Sequence, residues 1–238
     1  MADFRVEPLA EDALLLRFGD GIDVATNARA REAASALRDA GLPGITDVAP
    51  AYATLLLRFD PPIWDKGALL ETVAKTLDPG LRRDDEQKNA AALPETARVV
   101  EIPVCYGGEC GPDIDAVAEH AGLSRDGVVA RHTAAEYTVA MLGFAPGFPY
   151  LLGLDTALQV PRRTSPRTRV PAGSVAIGGA QTGIYPRELP GGWHLIGRTP
   201  RVLFDPAHEP PCLLAPGDRV RFRPIDAAEF ARRAERGA

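Results

Sequence analysis

The chain has 238 residues, a net charge of −5 and a sequence pI near 5.5, with 45% hydrophobic and 25% charged residues. These values are typical of a globular protein with one large or two modest domains, and the acidic balance argues against general binding to nucleic acid or membrane surfaces. No stretch approaches the roughly 20 apolar residues of a spanning helix, and the N-terminus lacks the basic start of a signal peptide, so we expect a cytoplasmic location.

Residues 1–80 are predicted to form a small α/β domain. Apolar spacing near a 3.6-residue period indicates a helix from an N-cap at Asp23 to about Ala40, and a second helix is expected over 65–77. With four short strands, the order ββαββα favours a two-layer sandwich of sheet and helices. The strands are expected at 4–7, 13–18, 45–50 and 54–59.

Residues 81–97 are dense in charged and small residues and are predicted to be a linker to a second domain at 98–238. Short strands separated by turn residues favour a β-barrel or sandwich there. Asp113 is expected to lead a helix, and Ser124 to cap another that ends near His132. A basic helix is expected over 227–236. The strands are expected at 99–104, 137–142, 174–177, 183–185, 194–196, 201–204 and 218–222.

The segment 143–200 is the most informative part of the chain, because its 58 residues hold ten glycines and eight prolines and still keep five aromatic residues. Glycine permits close backbone approaches and proline stiffens loops, so this composition predicts rigid loops folded onto a concave surface. Arginines outnumber acids six to two here, which predicts that the surface holds an anionic group. The arginines are Arg162, Arg163, Arg167, Arg169, Arg187 and Arg198.

Several kinds of catalytic site are not indicated. Three cysteines and four scattered histidines form no metal-ligand pattern, so no protein-held metal is expected. No lysine follows Lys88, which removes a Walker A motif, a Schiff-base lysine and a Ser–Lys pair from the second half. A G-x-S-x-G motif is also absent. Any catalysis is therefore expected in a site shared with another chain.

The candidate site residues lie in this segment and just before it. His132 precedes the strand that leads into GFAPGFPY, and is interpreted either as a proton carrier at the mouth of a pocket or as a histidine satisfied by helix carbonyls. The arginines on both sides of Ser165 could bind a carboxylate or phosphate. Alternatively, they belong to a solvated loop or to a docking surface for an acidic partner. Gln181 and Tyr185 suit a carbonyl-bearing ligand. Trp193 is interpreted chiefly as a core anchor.

Five motifs, taken in order, resemble those of the family of B-type 5-oxoprolinase subunits, also called allophanate hydrolase subunit 1 or KipI-type proteins, which form subdomain C/D of a carboxyltransferase domain. The resemblance covers nearly the whole chain and is looser in the first half. Cys110 departs from it, since an aromatic residue is expected at that position. The motifs are CYGGECGPDI at 105–114, GFAPGFPYLLGL at 143–154, PRRTSPRTRVPAGSVAIGGAQTGIYP at 161–186, PGGWHLIGRTP at 190–200 and LLAPGDRVRF at 213–222.

The resemblance implies an α+β fold in which a small N-terminal α/β sandwich domain precedes a cyclophilin-like β-barrel domain. It also implies a subunit of a hetero-oligomer that hydrolyses 5-oxo-L-proline to L-glutamate with ATP as co-substrate, accompanied by Mg²⁺ if the nucleotide needs it, neither of them tightly bound to this chain. The implied partners are the C-type 5-oxoprolinase subunit, with a second such barrel, and the A-type 5-oxoprolinase subunit, with a TIM-like fold. The implied catalytic residues are His132, Arg163 and Arg167, and the implied substrate-binding residues are Phe144, Gly147, Phe148, Gln181, Tyr185 and Arg198.

Two other functions stay open at this point. KipI-type proteins inhibit a sensor histidine kinase by docking on its dimerisation helices, and the barrel surface would then be an interface. The same pair of barrels also resembles the carboxyltransferase part of a biotin-dependent urea carboxylase. Because the second half has no lysine to accept biotin, the biotin would have to arrive on a partner.

Overall fold

The structure is a computed structural model that describes residues 4–77 and 97–236. The chain divides into two compact units, one within residues 1–96 and the other within 97–238. Residues 81–96 of the expected linker lie outside the described residues, so the linker stays a prediction. Within the described ranges, no helix combines the length and the apolarity needed to cross a bilayer.

The first unit is a four-stranded antiparallel sheet with two helices. Its strands are β1 (Arg5–Ala10), β2 (Ala13–Arg17), β3 (Ile45–Pro50) and β4 (Thr54–Phe59), and its helices are α1 (Val24–Asp39) and α2 (Lys66–Leu77). The order in the sheet is β1-β2-β4-β3. The Asp23 carboxylate accepts a hydrogen bond from the Thr26 amide at 2.8 Å, which confirms the predicted N-cap of α1.

The core of this unit comes from alternate positions of its central strands. Leu14 and Leu16 of β2 and Leu55 and Leu57 of β4 are buried, as expected where side chains of one strand point alternately to opposite faces. They cluster with the apolar side of both helices, including Leu37 of α1. The predicted sandwich of sheet and helices is therefore confirmed for this unit.

The second unit is built around a closed barrel of seven strands. Its strands are β5 (Val99–Tyr106), β6 (Glu136–Leu142), β7 (Pro149–Leu152), β8 (Arg167–Val170), β9 (Ser174–Gly178), β10 (Gln181–Ile184), β11 (Leu189–Gly191), β12 (His194–Arg198) and β13 (Arg219–Ile225). The helices are α3 (Ile114–Ala121), α4 (Arg125–Ala134) and α5 (Ala227–Arg236). The order around the barrel is β10-β7-β6-β13-β5-β12-β9, and β8 and β11 form a separate two-stranded sheet.

The barrel interior is filled by side chains, as in other small barrels. Inward-facing residues of the strands form one buried cluster with apolar residues of α3 and α4. The strand β13 runs parallel to β5 and antiparallel to β6, so the last strand of the chain joins the first two strands of the unit. An α+β protein with a closed barrel is thus confirmed.

The strand prediction was wrong in places within this unit. No strand forms over 201–204, where only a single bridge joins Phe204 to Cys212. Three short strands were missed, namely β7, β8 and β11, each of three or four residues. Each contains proline, glycine or charged residues that lower strand propensity, and each is held by pairing with residues distant in sequence.

Candidate functional site

A pocket of about 220 Å³ opens on the Gly/Pro-rich segment of the second unit. Aromatic side chains form one part of its wall, and arginines and glycine-bearing backbone form another. Its lining lies between Phe144 and Trp193, so the segment that the composition singled out does fold onto a concave surface. The lining residues are Phe144, Phe148, Tyr150, Arg162, Arg163, Pro166, Tyr185, Pro190, Gly191, Gly192 and Trp193.

Phe148 is the centre of the aromatic wall. Its ring centroid lies 5.2 Å from that of Tyr185 and 5.8 Å from that of Trp193, both in edge-to-face geometry, and 4.9 Å from that of Tyr150. Such pairs contribute about 0.5–1.5 kcal/mol each beyond the area that they bury. Because Phe148, Tyr185 and Trp193 are also buried, this wall is preformed.

Two glycines make room for these rings. A Cβ on Gly178 would lie 2.6 Å from Cδ1 of Trp193, and a Cβ on Gly191 would lie 2.8 Å from Cζ of Tyr185 and overlap its hydroxyl. Any other residue would therefore have to displace an aromatic ring. The glycines and the aromatic residues of the segment are parts of one packing arrangement.

Phe144 stands at the rim of the pocket in an unusual backbone conformation. Its φ is 69°, in the left-handed region that side chains other than glycine seldom adopt, and its side chain is 60% exposed. The ring lies 5.5 Å from that of Phe148 and 6.5 Å from that of Tyr185, edge to face with both. The rest of the aromatic wall thus holds Phe144 in place while one side of its ring stays open to solvent.

Asp113 fixes two of the arginines of the segment. It stands at the N-cap position of α3, as predicted, but its side chain makes no capping hydrogen bond. Its carboxylate accepts two hydrogen bonds from Arg167 at 2.8 Å, one from Arg163 Nη1 at 3.1 Å and one from the Leu195 amide at 2.8 Å. Asp113 thus begins α3 as predicted, and its side chain anchors two arginines instead of capping the helix.

The environment of Asp113 keeps it ionised. Burial raises the pKa of the carboxyl, but the hydrogen bonds from Arg167 and the Leu195 amide and the charges of Arg167 and Arg163 together hold that pKa below its ordinary value. One negative charge is thereby set against two guanidinium groups. Arg163 keeps a buried Nε that has no hydrogen-bond partner among the described residues.

The other arginines of the segment have separate surroundings. Arg169 pairs with Glu188 at 3.6 Å, and Arg198 Nε donates to the Ala172 carbonyl at 2.8 Å. Arg162 lies over the ring of Trp193, with Cζ 5.8 Å from the ring centroid, and makes no ion pair within the described residues. Of the six arginines, Arg162 and Arg163 line the pocket.

His132 lies in the barrel interior, not at the mouth of this pocket, so its expected position is corrected. It is fully buried, and its ring stacks on Phe222 with centroids 4.5 Å apart. Nδ1 lies 2.8 Å from the Tyr106 hydroxyl, and Nε2 lies 3.1 Å from the Thr182 hydroxyl. Because Thr182 donates its own proton to the Ala176 carbonyl, Nε2 of His132 must donate to Thr182 and Nδ1 must accept from Tyr106.

Burial lowers the pKa of His132 to about 3, so the imidazole is neutral near pH 7. The His132 ring is therefore neutral and hydrogen-bonded at both nitrogens, and these two bonds link α4 to β5 and β10. These contacts do not test a catalytic role for His132, which stays a prediction.

The structure brings only part of the predicted site together. Arg163, Phe144, Phe148 and Tyr185 line the pocket, and Arg167 is joined to Arg163 through Asp113. The predicted residues outside the lining are Arg167, His132, Gly147, Gln181 and Arg198. The functional roles of all of them stay predictions.

The predicted site residues do not include several residues of the lining, among them Tyr150, Trp193 and Arg162, although Arg162 is one of the arginines that the sequence predicts to suit a carboxylate or phosphate. All three stand inside the motifs that were singled out, so the signal for the region was present. No sequence signal distinguishes Arg162 from its neighbour Arg163, because the difference is made by Asp113, which is distant in sequence.

No metal site is formed by the part of the chain that the structure describes, where no group of three or more histidine, cysteine, aspartate or glutamate residues could hold an ion. The lining of the pocket likewise contains no histidine, aspartate or glutamate. Its polar chemistry comes from guanidinium groups, two phenols and the backbone.

Comparison with known proteins extends over nearly the whole chain. Residues 4–214 match the family model described as carboxyltransferase domain, subdomain C and D. A Bacillus subtilis (strain 168) protein, named as the B-type subunit of 5-oxoprolinase, is 41% identical over 237 residues, which are 95% of this chain and 95% of that protein.

Two solved structures share the fold. The crystal structure of TTHA0988 has a TM-score of 0.76 at 43% identity and matches 90% of this chain, which spans only 40% of that longer chain. The crystal structure of the K. lactis urea amidolyase has a TM-score of 0.78 over 98% of this chain and 15% of that one, and at 21% identity it shows the fold alone.

Proposed function

Because this chain belongs to the family of the carboxyltransferase domain, subdomain C and D, and to the group of its members named as B-type subunits of 5-oxoprolinase, we propose that it is part of an enzyme that opens 5-oxo-L-proline to L-glutamate. The match over 95% of both chains with the Bacillus subtilis relative is the observation that carries this proposal. The proposal includes ATP, with Mg²⁺ as its companion ion, and two partners, the C-type 5-oxoprolinase subunit with a second barrel and the A-type 5-oxoprolinase subunit with a TIM-like fold.

The chemistry of a lactam explains the need for ATP. The ring carbonyl is a poor electrophile, so transfer of the γ-phosphoryl group to its oxygen, with release of ADP, creates a leaving group on that carbon. Water then adds to that carbon and the C–N bond breaks, which gives the free amino group and an acyl phosphate. A second water hydrolyses the acyl phosphate, so phosphate leaves and the side-chain carboxylate of glutamate is formed. Guanidinium groups that are already in position stabilise the negative charge that develops during such steps.

The arginines of this pocket suit that task because they are fixed before a ligand arrives. Asp113 holds Arg163 and Arg167 by charge-assisted hydrogen bonds, so little reorganisation is needed. Arg163 contributes from the pocket wall, and Arg167 positions it through their shared carboxylate. In this proposal His132 acts as a neutral hydrogen-bonding group that keeps the barrel wall behind β10 in place.

The make-up of the pocket supports a shared site. Its lining offers arginines, phenols and aromatic rings but no carboxylate or histidine that could carry a proton at neutral pH. A general base and the nucleotide site would therefore come from the partners, and the chain would be inactive alone. This chain matches 40% of the longer TTHA0988 chain, and a further region in that relative agrees with a site that a second region completes.

Reconstitution tests the proposal. Glutamate and ADP are measured from 5-oxo-L-proline and ATP with this chain alone, and then with both proposed partners added. We expect activity only in the full mixture, and loss of it with Arg163→Ala, while the exposed Arg187→Ala serves as the matched control. A full mixture of folded proteins that releases no glutamate would refute the proposed function. Transfer of a carboxyl group from a biotinylated partner would then be the next activity to measure.

A further inference from the structure

We propose that Arg162 selects the ligand of this pocket by binding the carboxylate of a small cyclic acid whose ring lies against the aromatic wall. The class of ligand is inferred from the geometry, and its identification with 5-oxo-L-proline rests on the proposed function. Neither His132 nor any other predicted catalytic residue is needed for this step.

The arginines of the segment differ in whether a carboxylate already pairs with their charge. Arg163 and Arg167 share the Asp113 carboxylate, and Arg169 pairs with Glu188. Arg162 lines the pocket and has no carboxylate partner within residues 4–77 and 97–236. Its charge is therefore available to an incoming anion.

The guanidinium group of Arg162 is in contact with the Trp193 indole. Its Cζ lies 5.8 Å from the centroid of the Trp193 ring, and cation–π attraction stabilises this contact. A guanidinium group in such a contact keeps N–H groups for the two oxygens of a carboxylate. An arginine held in this way loses less side-chain entropy on binding than a freely rotating one.

Two phenols, those of Tyr150 and Tyr185, line the pocket together with Arg162. Burial raises the pKa of Tyr150 and Tyr185, and the positive charge of Arg162 acts against that rise in both. Both phenols are therefore protonated at neutral pH, because burial keeps their pKa above its ordinary value. The Tyr185 hydroxyl can donate a hydrogen bond to a ligand carboxylate or carbonyl that approaches Arg162.

The size and the charge of the pocket favour one class of ligand. A volume of about 220 Å³ lies below the roughly 300 Å³ at which pockets for drug-sized ligands begin, so a single small ring fits better than a nucleotide. Two cations and no acid in the lining disfavour a ligand that carries an ammonium group. The pocket should therefore prefer the lactam, whose ring nitrogen is uncharged, to L-proline or to the product L-glutamate.

Binding and kinetics together test this inference. Calorimetry on the full chain compares 5-oxo-L-proline with 2-pyrrolidone, which lacks the carboxylate, and with L-proline, which carries an ammonium group. We expect the first to bind at least about tenfold more tightly than the other two, and Arg162→Gln to remove this preference, since a hydrogen bond to a charged group carries a difference of that order. Arg187→Gln, at an exposed arginine outside the lining, should bind like the wild type.

The reconstituted enzyme supplies a second readout. Arg162→Gln should raise KM for 5-oxo-L-proline at least about tenfold with a smaller change in kcat, and Arg162→Lys should recover part of the loss. If the complex turns over 5-oxo-L-proline and Arg162→Gln leaves both binding and KM unchanged, the role of Arg162 is refuted and the proposed function stands. If the complex is inactive but the chain binds small cyclic acids through Arg162, the proposed function fails and this inference stands. Absence of both binding and turnover overturns both.

Discussion

Asp113 and Asp115 are two residues apart in sequence and differ in what surrounds them. Asp113 is 6% exposed and forms ion pairs with Arg163 and Arg167. The Asp115 side chain is 68% exposed and pairs with Arg125. We expect Asp113→Asn to lower the free energy of unfolding by about 2–4 kcal/mol, because two guanidinium groups lose their partner at a largely buried position. Urea unfolding followed by Trp193 fluorescence measures this.

Asp115→Asn is the matched control for that experiment. An exposed ion pair contributes about 1 kcal/mol or less, so this variant should unfold close to the wild type. Equal losses in the two variants would show that Asp113 is not the anchor of the arginines.

The buried histidine predicts a pH dependence. The pKa of His132 is lowered from 6.5 to about 3 by burial, so below pH 6.5 the unfolded chain takes up a proton that the folded barrel does not. The stabilisation is complete above pH 6.5 and is lost as the pH falls towards 3. We expect this residue to account for about 2 kcal/mol of lost stability between about pH 7.5 and about pH 5.

The contribution of His132 is isolated by comparing variants in urea unfolding at several pH values. His132→Gln should remove this part of the pH dependence, whatever its effect on absolute stability. His208→Gln, at a side chain that is 75% exposed, should leave it unchanged. Parallel pH profiles for wild type and His132→Gln would mean that the histidine is charged or accessible in the folded protein.

At the scale of elements, the short strand β11 depends on a residue without a side chain. Gly191 of β11 faces the Tyr185 phenol, so Gly191→Ala must displace that ring from the aromatic wall. We expect a loss of about 1–3 kcal/mol in the free energy of unfolding, as for other overpacked sites, together with weaker binding of 5-oxo-L-proline. Thermal unfolding and calorimetry measure the two effects.

The neighbouring Gly192→Ala is the control. A Cβ there would meet Pro166 and the Arg163 carbonyl at 3.6–3.7 Å, which is ordinary van der Waals contact. This variant should fold within about 0.5 kcal/mol of the wild type. If Gly192→Ala lowered the free energy of unfolding more than Gly191→Ala, the packing of Tyr185 against β11 would not be the contact that positions the ring.

At the scale of the whole molecule, each unit has a core of its own and one tryptophan. Trp64 packs on the core of the first unit, and Trp193 belongs to the aromatic cluster of the second. Leu57→Ala empties a buried position in the first core and should cost about 2–5 kcal/mol there. The unfolding transition reported by Trp64 should move to lower urea, while that reported by Trp193 should not.

Single-tryptophan variants, Trp64→Phe and Trp193→Phe, separate the two signals in that experiment. Equal shifts of both transitions would show that the two units unfold as one cooperative body, contrary to the separation of their cores.

The sequence by itself determined the features that depend on neighbours along the chain. The helix period, the Asp23 N-cap and the strands over 45–50 and 54–59 are local signals, and the structure confirms each of them. The composition of 143–200 likewise located the concave surface, because glycine and proline act through the backbone of their own loops. The motifs were sufficient to identify the family.

Only the tertiary structure decided which of these side chains face one another. Asp113 accepts hydrogen bonds from Arg163 and Arg167, which lie 50 and 54 residues away in sequence. Within the described part of the chain, Arg162 is left without a carboxylate partner in the pocket. The same long-range closure of the barrel encloses His132 and pairs β11 with β8. Burial and charge pairing depend on contacts between distant segments, and a one-dimensional pattern of residue types does not specify those contacts.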